Sequence, residues 1–346
     1  RPTGMEGLKM AVHLWVRHET RETERRTPLI PADARRLVDL GFTVTVERSP
    51  QRIFEIEQYA DAGAEIVEAG SWVDAPADAY ILGLKELPDA PEALVHRHIF
   101  FGHAYKGQDG AAELLERFRR GGGQLLDIEY LTDETGRRVV AFGYWAGYVG
   151  AALGVLQYAG RLESPLTPTD KQAIDAQLAE VEDAPRAVVI GAYGRSGRGA
   201  VDALGVAGAQ VTTWGIDDTR ELDKPALLGH DVLVNCVVSF APQPPFVEAA
   251  DLTADRALRV IADVTADVTS DANLLPINTA ITTWDEPVRE VYADPLLEVI
   301  AIDNLPSLLP REASEDFSAA LRPQLEVLET GAVTWANTAE SFARHI

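Results

Sequence analysis

The chain has 346 residues, more than one ordinary hydrophobic core organises, so two domains are expected. Its 25% charged and 46% apolar residues are the balance of a folded globular protein, which excludes disorder as the main state. A formal net charge of −23 argues against nucleic acid and anionic membranes as partners, because phosphates would be repelled, and leaves small molecules.

Residues 1–4, ahead of Met5, are set aside from fold reasoning, and no secretory signal is visible. Residues 9–16 read as a strand, 31–40 as a helix stopped at Gly41, and 42–47 as a second strand. A helix over 56–62 and strands over 79–84 and 98–101 follow. Residues 110–120 then predict a helix ended by three glycines, with Arg117, Arg119 and Arg120 in its last turn, where cations suit the dipole. This alternation describes a first α/β domain without a phosphate-cradling loop. Residues 139–160 carry no charge and are long enough to suggest a membrane span, but their five glycines and single occurrence favour a buried helix between domains. Residues 164–169 form a linker before a helix with Ile174, Leu178 and Val181 on its apolar face. After Pro310, residues 312–328 are helix-like and are expected to return to the first domain.

The most informative local pattern lies in mid-chain. The apolar run Ala187-Val188-Val189-Ile190 is followed by Gly191, Gly194 and Gly197, with Gly199 close behind, and then by an alanine- and leucine-rich stretch. Strand, tight glycine turn and helix together form a dinucleotide-binding unit: the turn lets the backbone approach a pyrophosphate, and the helix N-terminus faces its charge. Strand-like runs at 210–214, 231–238 and 258–264 supply the alternation a parallel sheet requires. Asp217 and Asp218, placed after the second run, could accept hydrogen bonds from an adenosine ribose or simply begin the next helix. Two carboxylates there would repel a 2′-phosphate, which favours NAD over NADP.

The single cysteine, Cys236, excludes an internal disulfide framework and fits a reducing cytoplasm; in an apolar strand it is expected to be buried and inert. The seven histidines form no cluster with metal-ligand spacing, so no metal is expected. Ionisable residues stand just beyond two strands of the first domain, in Gly83-Leu84-Lys85-Glu86 and Gly102-His103-Ala104-Tyr105-Lys106. Strand carboxyl ends face the crevice where α/β proteins bind ligands, although the residues alone leave Lys85 open as a surface lysine and His103 as an exposed histidine.

These stretches, with Arg17-His18-Glu19-Thr20, Glu24-Arg25-Arg26-Thr27-Pro28, Gly136-Arg137-Arg138, Gly191-Ala192-Tyr193-Gly194-Arg195 and Leu305-Pro306-Ser307-Leu308-Leu309-Pro310-Arg311-Glu312-Ala313-Ser314, resemble saccharopine dehydrogenases of the NAD-dependent, lysine-forming type. The likeness runs in order from about residue 12 to the end. The broader superfamily includes alanine dehydrogenase. The resemblance implies two Rossmann-like doubly wound α/β domains, residues 5–140 plus 313–346 for substrate and 141–312 for NAD, with the active site in the interdomain cleft. It implies oxidative cleavage of saccharopine, a secondary amine joining lysine to 2-oxoglutarate.

By the same resemblance Lys85 and His103 transfer protons, and Glu129, followed by Glu86, matches the family position of a carboxylate that tunes the lysine. Arg17, Arg26, Lys106, Arg138 and Asp303 bind substrate. Gly191, Gly194, Arg195, Ser196, Gly197, Asp217, Val237 and Asp263 bind the cofactor. Three positions depart from the family: Gly215 stands where an acid often follows the Trp214 position, Asn304 where histidine is usual, and Ser196 where fungal members have cysteine. A relative joining a different amino acid and keto acid, an alanine-dehydrogenase-like deaminase, and a non-catalytic NAD-binding scaffold are the competing expectations.

Overall fold

A computed structural model describes residues 11–346. Lys9 and Met10, where the first strand was expected to begin, lie outside the described residues, as do residues 1–4. In chain order the strands and helices are β1 (His13–Val16), α1 (Pro31–Asp39), β2 (Thr43–Glu47), α2 (Ile56–Asp61), β3 (Glu65–Val67), β4 (Tyr80–Leu82), β5 (Arg97–Phe100), α3 (Ala111–Gly121) and β6 (Gln124–Asp127). There follow α4 (Tyr144–Tyr158), α5 (Lys171–Ala179), β7 (Arg186–Ile190), α6 (Arg195–Val206), β8 (Gln210–Trp214), α7 (Ile216–Arg220), α8 (Lys224–Leu228), β9 (Val232–Asn235) and β10 (Val260–Asp263). The chain ends with β11 (Arg289–Ala293), β12 (Leu296–Ile300), α9 (Pro310–Glu326) and α10 (Val333–Ala343).

The chain divides into two units, residues 1–141 with Ser314–Ile346, and Phe142–Ala313. The first unit holds a fully parallel sheet in the order β3-β2-β1-β4-β5-β6. Strand order reverses between β1 and β4, so the carboxyl ends of these two strands flank a topological switch point, the place where open α/β sheets take their ligands. Trp15, Ile81, Phe100, Leu125 and Phe118 pack on one face of this sheet together with Phe342 of α10. Glycines end its helices where the sequence predicts: Gly41 and Gly122 both have positive φ, which only glycine adopts without strain. Ser314 and Ser318 of α9 accept hydrogen bonds from the backbone amides of Thr27 (3.0 Å) and Ile30 (3.0 Å), so the last helices belong to this unit.

The second unit holds the order β11-β12-β10-β9-β7-β8, parallel except for the antiparallel edge pair β11 and β12. Its own reversal lies between β7 and β9. Helix α4 is apolar around most of its circumference and ten of its fifteen residues are buried. It packs on α6 so closely that a Cβ on Gly199 would lie 1.9 Å from the Tyr144 carbonyl oxygen and one on Gly147 1.7 Å from that of Ser196. Gly147 of the uncharged stretch therefore serves helix packing, and no described helix is long and apolar enough to cross a membrane.

Candidate active site

In the first unit the residues beyond β1, β4, β5 and β6 gather at one end of the sheet. The backbone amide of Arg17 continues the β1–β4 ladder by donating to the Leu82 carbonyl (3.0 Å). Two residues on, the buried Glu19 carboxylate accepts from the amides of Leu84 (3.0 Å) and Lys85 (2.7 Å), and the Arg17 guanidinium donates to Glu19 (3.3 Å) and to the Lys85 carbonyl. The Arg17 side chain is fully buried, with its guanidinium over the Phe100 ring (5.2 Å).

Arg17, expected to bind a substrate carboxylate, is thus bonded to protein groups and buried from solvent. Arg26, expected likewise to bind substrate, is also paired within the protein. It donates from Nε (2.9 Å) and a terminal nitrogen (2.8 Å) to Glu24, and both side chains are buried. Burial alone would raise the Glu24 carboxyl, but the charge and hydrogen bonds of Arg26 hold it below its ordinary value.

Lys85 is half-buried beside this pair, and its Nζ has no hydrogen-bond partner among the described residues. Burial lowers its pKa, and the Arg26 and Arg21 cations lower it further against Glu24 and Glu86. Glu86 itself is bound by Arg21 Nε (2.5 Å).

His103, in the loop after β5, has φ of 49°, a left-handed conformation that costs a non-glycine residue energy and recurs where a side chain must be aimed. Its ring stacks on Phe101 at 6.5 Å between centroids. Burial and the nearby Lys85 ammonium lower its pKa, while Glu129 raises it. Glu129 pairs with Lys106 (2.7 Å), whose pKa rises through that hydrogen bond. The fully buried Asp127 carboxylate accepts from the backbone amides of Gly102 (3.1 Å) and Glu129 (2.9 Å), and so ties the His103 loop to the Glu129 turn. Burial pushes its pKa up to about 6 against those two hydrogen bonds. Arg138, on a hairpin bridged to Thr132, is exposed, and its charge acts on both Lys106 and Asp127.

Lys85, His103, Glu129, Lys106 and Arg138 thus share one electrostatic neighbourhood. Glu19, Glu24 and Asp127 were not singled out as site residues, although spacing carried a signal for two of them. Arg17/Glu19 and Glu24/Arg26 stand two residues apart, and residues at that spacing share a side of an extended chain.

In the second unit Gly191 (φ +79°) turns the chain out of β7 into α6. A Cβ on Gly191 would meet Val237 at 2.8 Å and one on Gly197 would lie 2.1 Å from the Gly191 carbonyl oxygen, whereas one on Gly194 would find only that oxygen at 3.7 Å. Gly191 and Gly197 therefore serve the turn's own packing, and Gly194 leaves an open face at the N-cap of a twelve-residue helix. Beside it lies a cavity of about 670 Å³ whose walls include Gly191, Tyr193, Gly194, Gly215, Thr219 and Val237. This cradle fits a dinucleotide: backbone can approach a pyrophosphate at Gly194, and the volume suits a ligand of that class.

Arg195 lies against Gly143, where a Cβ would meet its side chain at 2.8 Å, and Ser196 donates to the Gly143 carbonyl (3.0 Å), so both brace α6 against the start of α4. Asp263, buried at the end of β10, accepts from Thr265 (2.8 Å) and Asn235 (3.2 Å); burial raises its pKa. Burial, and then Asp263, push the Cys236 thiol up to about 12, which makes it unreactive at neutral pH. Asp303 is exposed in the turn before the buried Leu305-Pro306-Ser307-Leu308 stretch.

Asp217 was expected at the cofactor ribose. It sits on α7 with 84% of its side chain exposed, pairs with Arg220 (3.0 Å) and does not line the cavity. Asp218 caps α7 by accepting from the Gly215 amide (2.8 Å). The exposed Tyr193 ring lies against the position after β8, where a Cβ on Gly215 would come within 2.9 Å of it.

A family model described as alanine dehydrogenase/PNT, N-terminal domain, matches residues 15–149. The chain is 42% identical to the saccharopine dehydrogenase (NAD(+), L-lysine-forming) of Emericella nidulans, over 96% of this chain and 97% of that one. It is 41% identical to the enzyme of the same name from Yarrowia lipolytica, over 97% and 98%. Among solved structures an L-alanine dehydrogenase superposes with a TM-score of 0.67, covering 96% of this chain and 94% of that one at 18% identity, a likeness of fold.

Proposed function

The chain belongs to the family of NAD-dependent, lysine-forming saccharopine dehydrogenases, and on that footing we propose that it reversibly cleaves saccharopine to L-lysine and 2-oxoglutarate. The observation that carries this reading is the Lys85 amine, desolvated and lowered in pKa beside Arg26, with no partner on Nζ and with His103 near enough to feel its charge. A protonated secondary amine has no lone pair with which to expel hydride from its α-carbon and must lose a proton, and a lysine poised toward its neutral form is the base for that proton.

NAD supplies the hydride acceptor, and the Gly191, Gly194 and Gly197 turn with Val237 would hold it. Lys85 accepts the amine proton as the C=N bond forms. His103, neutral near pH 7 because its pKa is lowered, takes a proton from the water that adds to the imine carbon. It then returns that proton to nitrogen as the C–N bond of the carbinolamine breaks, and the hydroxyl proton passes to the departing amine as the carbonyl forms, releasing lysine and the keto acid. Glu129 holds Lys106 and raises the basicity of His103. Arg138 and Lys106, the exposed cations of this neighbourhood, attract the substrate carboxylates. The acidic net charge supports small molecules rather than nucleic acid as partners, and the single inert cysteine supports a reducing cytoplasm.

The reading is tested in the oxidative direction. Saccharopine and NAD incubated with the protein should give NADH and lysine in equal amounts. NADH formation from alanine instead of saccharopine would replace this function with oxidative deamination.

A further inference from the structure

The Lys85 Nζ has no hydrogen-bond partner among the described residues, so the course of its backbone sets where the amine can be placed. That backbone is gripped from both sides. The Lys85 N–H donates to Glu19 Oε1 (2.7 Å), the preceding N–H of Leu84 to Glu19 Oε2 (3.0 Å), and the Lys85 carbonyl accepts from the Arg17 guanidinium. Arg17 and Glu19 also bond to each other (3.3 Å), and Arg17 is anchored by its amide to Leu82 of β4 and by its guanidinium to the Phe100 ring of β5. Gly83 makes room for the grip: a Cβ there would lie 2.3 Å from the Arg17 guanidinium carbon.

Resting on the function proposed above, we propose that the Arg17–Glu19 ion pair is the positioning device for the catalytic base, with Glu19 its principal residue, and that it acts by clamping the Lys85 peptide at the sheet's switch point. Two carboxylate oxygens on two successive amides, and a guanidinium on the next carbonyl, fix the direction in which the Lys85 side chain leaves the backbone. That direction keeps the amine half-buried, within the fields of Arg26, Glu24, Arg21 and Glu86 and near enough for its charge to act on His103. The hydrogen bonds of Glu19 go to the Leu84 and Lys85 amides and not to the Lys85 amine, so the clamp acts on that amine through the backbone. Released from the clamp, the amine turns toward solvent and regains an ordinary lysine's basicity.

The test reads the Lys85 amine itself. Labelling by trinitrobenzenesulfonate across pH values from about 6 to about 11, followed by mass mapping of the Lys85 peptide, gives the midpoint at which this amine becomes reactive. Glu19→Gln keeps the side chain's shape but turns one acceptor into a donor facing an amide N–H. It should raise the midpoint by about one pH unit or more. It should also lower kcat about 10- to 100-fold, while NADH binding, read by fluorescence, stays unchanged. Gly83→Ala pushes the guanidinium off the Lys85 carbonyl with both charges retained, and should move the midpoint and kcat in the same directions; it carries the test if Glu19→Gln is not recovered folded. An unchanged Lys85 midpoint in either folded variant overturns the proposal. The labelling needs no substrate, so failure of the protein to oxidise saccharopine would remove the functional reading and leave the clamp to be judged by its midpoints.

Discussion

The Lys106 ammonium lies 2.7 Å from the Glu129 carboxylate, and the two halves of this pair act on His103 in opposite directions, the carboxylate raising its pKa and the ammonium lowering it. Glu129→Gln should therefore move the His103 pKa down and Lys106→Met should move it up, each by a fraction of a unit to about one unit. The imidazole resonances of His103 followed through a pH titration check both signs. Shifts in the same direction would show that the pair does not act on the ring by charge.

Lys85→Met should reduce kcat by about two or more orders of magnitude, the scale of a lost general base, with NADH affinity intact because the dinucleotide cradle lies in the other unit. Near-normal turnover across pH would remove Lys85 from the mechanism.

The glycine turn permits a paired experiment. Gly197→Ala forces a methyl to within 2.1 Å of the Gly191 carbonyl and should destabilise the second unit by about 1–3 kcal/mol or more, lowering its Tm. Gly194→Ala meets only that oxygen at 3.7 Å and has an ordinary negative φ, so the Tm should hold while the Kd for NADH rises about tenfold or more. Unchanged NADH binding in folded Gly194→Ala would move the pyrophosphate away from this turn.

Asp217→Ala should leave NADH affinity unaltered, since that carboxylate faces solvent and Arg220, whereas Tyr193→Ala, in the cavity wall, should weaken it. Fluorescence titration of both variants decides between them, and a loss of affinity in Asp217→Ala alone would restore the acid to the ribose.

Asp127 carries a stability signature with a definite sign. Its folded pKa, about 6, is raised above the ordinary 3.8, so the folded state holds a proton that the unfolded state has released. The associated stability is present below about pH 4 and is lost as pH rises through about 6, on the order of 2–3 kcal/mol in all. Asp127→Asn lacks this term, so its Tm relative to the wild type should climb across that window. A constant difference would mean that Asp127 titrates normally.

What the sequence revealed follows physical lines. The dinucleotide turn was legible because glycine is needed at Gly191 and Gly197 for steric reasons that leave a spacing. Lys85 and His103 were legible as ionisable residues directly after apolar strands. The edge pair β11 and β12 was not, although Asp294-Pro295 between two apolar-polar runs is a turn signal. Strand β6, four residues without a β-branched side chain, gave no periodicity of its own, and with it the placement of Asp127 and Glu129 stayed hidden. The burial of Arg17 and Arg26 depends on which carboxylate each guanidinium meets, and resemblance to a motif carries residue types without their partners. The Arg220 partner of Asp217 and the Tyr193 ring beside Gly215 were equally hidden, since both depend on how the turn after β8 folds.

The most direct test of the central claim is oxidation of NADH by the purified protein with 2-oxoglutarate, with and without L-lysine, followed by mass analysis of the product. The account predicts lysine-dependent oxidation and a product of saccharopine's mass. NADH that binds but is not oxidised with this pair, and is oxidised with another amine or keto acid, would contradict it.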